Sequence, residues 1–441
     1  MHRGSISSDV SRRGGSYEVS PVELIGLEVI EISDHVHSPP GSDVEEEALL
    51  TRSTASTETT SKKTSEAPSA PPTKVLFLDG VRGLAAMLVV LQHSSDFALP
   101  LQPGAIGVDI FFVLSSFLLT WLFMKKSMKL LAQGANLRTW KYVLADYFQK
   151  RFLRVYPLFF VTVTILALMA PEDRGRYLFL YERPYSPPFN TLRTLVFDFD
   201  YRYHVFWSLP LEIAYYFVIP VFVLAVLGMR RMWWAGALPL TVWVVYEGFS
   251  TVRFDHMTLR THISTFLTGS LAALVFVKVD LWMKKTEFAF RWWHTVVVRA
   301  VEWLTIVVLL SVSFRGLLFH WTQVDQGPPY NGAPNVSGLV SVLIVIEMVQ
   351  PSWVSTAFEW NVLRYWGKIG FSVYLMHSFV IQDTTPDTQP YYFDRLFARL
   401  VLVTILSTVT YYLVEYPSLL LAQRMSKYLA AKEAKASVGA I

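Results

Sequence analysis

Between residues 75 and 416 the chain is a succession of ten apolar runs. They lie at about 75–97, 104–124, 153–170, 212–229, 232–249, 259–278, 296–319, 336–350, 369–382 and 396–416. Most approach the roughly 20 residues that an α-helix needs to cross a bilayer; the eighth and ninth are short. In hydrocarbon every backbone N–H and C=O must be satisfied within the protein, which leaves helices and closed barrels, and runs of this length are those of helices. The expected fold is therefore all-α and polytopic, with about ten transmembrane helices in a lipid bilayer. The charge content agrees: only 17% of the 441 residues are charged, against about 25% in soluble domains.

Charge divides the chain in two. Residues 1–73 hold 12 acidic and 6 basic residues, a net of −6, with 21 Ser or Thr. So little apolar area cannot offset the entropy of ordering, and the segment reads as a disordered acidic tail. Its one apolar patch, Val22 to Ile32, is a candidate transient helix or docking motif. No apolar stretch of signal-peptide type opens the chain, so a cleaved leader is not expected. The remainder carries 33 basic and 23 acidic residues, a net of +10. Its lysines and arginines gather on alternate loops. Eight lie around the connection after the second run (Lys125, Lys126, Lys129, Arg138, Lys141, Lys150, Arg151 and Arg154). The connections 98–103 and 320–335 have none. The positive-inside rule then puts both termini in the cytoplasm, with 74–420 as the membrane domain and 421–441 as a basic tail. The chain has no cysteine, which excludes disulfides, thiolate metal sites and thiol nucleophiles. Nothing here calls for nucleic acid as a partner.

Within apolar runs, polar groups are functional candidates, because a charge at the bilayer centre costs about 2.5–3.5 kcal/mol on insertion scales. The first run contains Asp79, Arg82 and His93. Arg82 and His93 are eleven residues apart, three turns plus roughly 20°, so they share one helix face about 16–17 Å apart. Asp79 neighbours Arg82 at i, i+3. Gly83, Ala85 and Ala86 would let another helix approach. The plainer reading has Arg82 snorkelling to the headgroups and His93 at the far interface; the shared face argues against it. Glu212 opens the fourth run, where a helix N-terminus favours a carboxylate as readily as a site does. Arg151 and Arg154 are explained first by positive-inside anchoring, and as a pair on one helical face they also suit phosphate recognition. Glu347 and His377 read as interhelical hydrogen-bonding groups, and Glu415 as a helix end. Asn335-Val336-Ser337 is a glycosylation sequon.

In this order the motifs resemble membrane-bound acyltransferase family 3. They are Leu78-Asp79-Gly80-Val81-Arg82-Gly83 through His93; Gly107-Val108-Asp109-Ile110-Phe111-Phe112-Val113-Leu114-Ser115; the Arg151–Arg154 pair; Trp207-Ser208-Leu209 with Glu212; Gly367-Lys368-Ile369 through Tyr374 and His377; and Glu415-Tyr416-Pro417. The likeness covers roughly 75–420, and Trp207–Glu212 with the long polar tail looks most like the fungal branch. Ser116 departs from the glycine many members have there, which adds bulk at a helix contact. No esterase-like domain follows the membrane part, so the resemblance implies a single-domain enzyme.

The resemblance implies transfer of an acyl group, usually acetyl, from acetyl-CoA or another acyl-CoA to a hydroxyl of a carbohydrate, lipid or small metabolite. No metal or redox centre is expected, because a thioester is already activated. His93 is the candidate base, an imidazole titrating near working pH; whether it also carries the acyl group stays open. Arg151 and Arg154 are candidates for the phosphates of coenzyme A. Arg82 is a candidate for the pantetheine arm or thioester oxygen, Asp79 for fixing Arg82, and Glu212 for orienting the acceptor. The rival reading is a ten-helix proton-coupled transporter using Asp79, Arg82, Glu347 and His377.

Overall fold

The computed structural model describes residues 73–94, 103–178, 187–201, 203–253, 258–314, 316–322, 330–331, 336–383 and 388–438. The acidic tail, all but Thr73, and Asn335 of the sequon lie outside the described residues. Among the described residues the chain is all-α, apart from one two-residue ladder pairing Val252–Arg253 with Tyr330–Asn331.

The first half comprises α1 (Thr73–His93), α2 (Pro103–Ala132), α3 (Leu137–Leu168), α4 (Pro171–Tyr177), α5 (Thr191–Leu195), a 3₁₀ turn (His204–Ser208), α6 (Leu209–Gly228) and α7 (Trp233–Ser250). The second comprises α8 (Leu259–Lys285), α9 (Trp292–Ser313), α10 (Ser337–Val349), α11 (Trp353–Phe358), α12 (Asn361–Lys368), α13 (Gly370–Ile381), α14 (Tyr392–Thr410), a π turn (Tyr411–Glu415) and α15 (Tyr416–Val438). Seven helical segments are long and apolar enough to cross a membrane, the last running unbroken through α14 and α15. They match seven of the ten runs. Of the other three, α7 is a full 18 residues diluted by Glu247 and three tryptophans. Helices α10 and α13 are apolar but only 13 and 12 residues long.

Three boundaries differ from those expected. The basic connection after the second run is a helical hairpin: α2 runs to Ala132, turns at Gly134 with a positive φ of 62°, and α3 starts at Leu137. Asn136 caps it by accepting from the Thr139 backbone N–H. Lys126 of α2 reaches Asp146 of α3 at 3.0 Å and so ties the two helices together, while Lys150 pairs with the same carboxylate from one turn along α3, also at 3.0 Å. Pro417 lacks the N–H that would bond the Leu413 carbonyl, and the chain meets it with the π turn rather than a break. The expected C-terminal tail is helical to Val438.

Helix α1 is the hub, and small residues set its packing. A Cβ on Gly80 would sit 1.7 Å from the Phe358 carbonyl oxygen, one on Gly83 1.9 Å from that of Leu363, and one on Gly367 1.9 Å from that of Asp79. Between apolar helices in lipid there is little hydrophobic drive, so backbone approach of this kind supplies the van der Waals contact. On the other flank Gly107 of α2 lies against the Ala85 carbonyl. The bulk of Ser116 is met by Gly269 of α8, where a Cβ would sit 2.1 Å from the Ser116 Oγ.

Candidate functional site

The first helix carries Asp79, Arg82 and His93 on one face, as its period requires. Arg82 donates to Asp79 Oδ1 at 2.9 Å, and its aliphatic stem passes Gly370 at the start of α13. From there α13 runs alongside α1, so its last turns arrive where α1 ends. That parallel course joins two histidines 284 positions apart: His377 Nε2 lies 3.1 Å from His93 Nδ1, and His377 Nδ1 lies 3.0 Å from the Val373 carbonyl. Their rings stack with centroids 5.0 Å apart. Beyond His93, Arg399 of α14 is buried and donates to the Ser94 carbonyl. That places a cation on the C-terminus of α1, where the helix dipole favours it.

A third imidazole completes the group. His204 meets His93 edge-on at 5.0 Å and His377 at 6.1 Å. It opens the 3₁₀ turn with φ at +31°. A non-glycine residue held there costs of order 1–3 kcal/mol, a strain found preferentially at functional sites. The preceding Tyr203 donates to the Pro188 carbonyl at 2.9 Å, and burial pushes its phenol up to about 12. One turn beyond His204, the hydroxyls of Ser208 and Tyr374 lie 2.6 Å apart. Among the described residues, His93, His204 and His377 are the group that could converge on a metal ion, their ligand atoms lying within 4.8 Å of one another.

Glu212 belongs to a second polar group, deeper along α6. Its Oε1 accepts from Ser115 Oγ at 2.6 Å and from Tyr216 OH at 2.8 Å. Tyr147 of α3 donates to the Tyr216 carbonyl at 3.2 Å. Arg151 lies within electrostatic range of Glu212, Tyr147 and Tyr216, and its Nε is buried with no hydrogen-bond partner among the described residues. Arg154, expected to act with Arg151, instead pairs with Glu415 at 2.5 Å. Glu415 lies in the π turn and also accepts from Ser372 of α13 at 2.6 Å. The two arginines are thus divided between two carboxylates. One of those, Glu415, does more than end a helix.

Of the six site residues expected from sequence, Asp79 and Arg82 meet as an ion pair, and Glu212 and Arg151 share one cluster. His93 gathers partners that were not counted as site residues. His204 and Tyr374 were missed as site groups because they come from a long connection and from a short helix; only the fold brings them to α1. The available signal was that His204 stands eight residues before Glu212, and Tyr374 one helical turn before His377. The transporter reading finds no support. Its four residues separate into the Asp79–Arg82 pair, the His93–His377 pair, and a cap in which Glu347 accepts from Arg299, Ser352 and Ser355.

Residues 75–415 match the family described as an acyltransferase domain. Among curated proteins, the chain is 25% identical to the provisionally named peptidoglycan O-acetyltransferase YrhL of Bacillus subtilis, over 77% of this chain and 54% of that one. It is 23% identical to a provisionally named O-acetyltransferase of Staphylococcus aureus (77% and 56%). It is 24% identical to the peptidoglycan O-acetyltransferase OatA of Listeria monocytogenes (70% and 50%). The chain spans about half the length of these relatives. No solved structure matches it.

Proposed function

Because the chain belongs to the acyltransferase 3 family, we propose that it is a membrane O-acyltransferase moving an acyl group, acetyl first of all, from acyl-CoA to a hydroxyl on a carbohydrate, lipid or small metabolite. His93 takes the proton of the acceptor hydroxyl as the oxygen attacks the thioester carbonyl. The C–S bond then breaks, and the departing thiolate takes that proton back from the imidazolium. A positioned general base of this kind contributes typically 10²–10⁴-fold.

The donor enters from the cytoplasmic side, where the basic α2–α3 hairpin lies if both termini are cytoplasmic. Arg151 offers a buried N–H to the nucleotide phosphates. Arg154 adds its charge a turn away while its pair with Glu415 ties α3 to the α14–α15 helix. Arg82, held by Asp79, lines the path of the pantetheine arm, whose extended length is comparable with the 16–17 Å rise between Arg82 and His93. Glu212, fixed by Ser115 and Tyr216, orients the acceptor.

What supports the reading most is His93. It is set on the same helix as Arg82 and ringed by His204 and His377. The test is transfer of label from acetyl-CoA into lipid and glycan fractions by purified protein in nanodiscs. Wild type is expected to incorporate label, and His93→Ala to lose at least about 99% of the rate. Undiminished transfer by the variant sinks the assignment.

A further inference from the structure

We propose that His377 is a positioning residue that fixes the tautomer of His93, so that His93 turns an unprotonated Nε2 toward the acceptor hydroxyl. The proposal rests on His93 being the base.

The assignment follows from which atoms can only accept. The Val373 carbonyl has no proton to give, so His377 Nδ1, 3.0 Å away, must carry one. His377 is fully buried, and the rings around it are the imidazoles of His93 and His204 and the phenol of Tyr374, none of them an anion. Nothing among them compensates a buried positive charge, so the ring is neutral, with a single N–H. Its Nε2 is therefore a lone pair. That lone pair lies 3.1 Å from His93 Nδ1. Two lone pairs do not face each other at hydrogen-bond distance, so His93 Nδ1 carries a proton. The Val89 carbonyl, which also accepts from the His93 ring, stands one turn back, in the same i−4 relation as Val373 to His377. The His377 lone pair holds the proton on Nδ1, the i−4 carbonyl is placed to share it, and neutral His93 then has an unprotonated Nε2.

Free histidine prefers the opposite tautomer, which would present an N–H to an O–H and abstract nothing. The chain Val373–His377–His93 inverts that default. When Nε2 takes the hydroxyl proton, the His377 lone pair still accepts from Nδ1–H and stabilises the imidazolium. When the thiolate leaves, the proton on Nε2 goes to sulfur and the original tautomer returns. Nδ1 never exchanges its proton during the cycle.

The experiment is solid-state ¹⁵N NMR of the full chain, labelled at histidine and held in nanodiscs, with the His93 signals identified by their loss in His93→Gln. Wild type is expected to show His93 protonated at Nδ1 and bare at Nε2. His377→Asn keeps a nitrogen beside Val373 but removes the acceptor facing His93. It is expected to mix the His93 tautomers and lower kcat about a hundredfold, with KM for acetyl-CoA unchanged. His377→Gln returns an acceptor near the Nε2 position and is expected to restore both the tautomer and kcat to within a few-fold. A wild-type spectrum with the proton on His93 Nε2 overturns the proposal without any variant. So does a His93 tautomer unchanged in His377→Asn, or zinc bound in the wild type at one ion per chain with the three histidines as ligands. Undiminished turnover in His93→Gln overturns the base assignment instead, and is distinguished because the wild-type tautomer would still be as described.

Discussion

Two buried polar clusters in this protein are built on opposite principles. Around Arg299 everything is charged and answered. Its guanidinium reaches Glu302, Glu347 and the Gln350 carbonyl, and Ser352 donates to Glu302. Glu347 also accepts from the backbone N–H groups of Ser352 and Ser355, which start the short helix α11. That helix ends at Phe358, against Gly80. Around His93 the side chains in contact are directional rather than paired charges: three imidazoles, a tyrosine and a serine, with the Arg399 cation one residue beyond, on the Ser94 carbonyl. A saturated ionic cluster resists change, because any altered partner leaves a buried charge uncompensated. A neutral cluster can accept a proton and return it. The first arrangement suits a fastener and the second a reacting site.

The sharpest way to break the comparison is to truncate one residue from each. His93→Ala is expected to cut turnover by at least about a hundredfold, about 3 kcal/mol or more in the barrier. Its thermal midpoint in detergent should stay within a few degrees of wild type. Glu347→Ala should do the reverse. Losing one partner of a buried ion pair costs about 3–5 kcal/mol of stability, while kcat per folded molecule is retained. A Glu347→Ala protein that is fully stable yet inactive would erase the distinction.

The contrast was only half visible in the linear chain. Spacing alone put Arg82 and His93 on one face, because both lie in one helix and a single period relates them. Seven of the long apolar runs were equally plain, since length and hydropathy are local properties. The His93–His377 contact and the arrival of His204 were not legible, because they depend on how α13 lies along α1 and on how a long connection folds back. Arg154 shows the same limit from the other side. Its spacing from Arg151 suggested a joint phosphate clamp, yet its partner, Glu415, is 261 positions away. The hairpin boundaries differ for another reason: lysine ends the apolar run, whereas the α-helix continues through lysine until Gly134 breaks it.

The glycine seam shared by both clusters should be next in effect. Gly83 lets α12 approach α1, and α12 leads directly into α13. Gly83→Val forces a side chain into the Leu363 backbone and is expected to cost roughly 1–3 kcal/mol or more through overpacking. The resulting displacement of α13 should weaken the His377–His93 contact, so activity should fall in parallel with stability. That parallel loss is unlike either cluster variant. Full activity at reduced stability would show that the seam and the histidine contact are mechanically separate.

The smallest expected effect lies at Ser115, and it asks whether Glu212 belongs with the fastener or with the site. Ser115→Ala removes the 2.6 Å hydrogen bond to Glu212 Oε1 and leaves Tyr216 donating to that atom. A hydrogen bond to a charged group contributes about 1.5–3 kcal/mol. Since Ser115 and Glu212 are only half-buried, the lower end of that range applies. If Glu212 orients the acceptor, loosening it should raise KM for the acceptor several-fold and leave KM for acetyl-CoA unchanged, with little change in melting. If Glu212 is instead a fastener like Glu347, the thermal midpoint should fall and both Michaelis constants should hold. Steady-state kinetics against each substrate, paired with a melting curve on the same preparation, separates the two. The sign of the result decides on which side of the comparison the fourth helical crossing belongs.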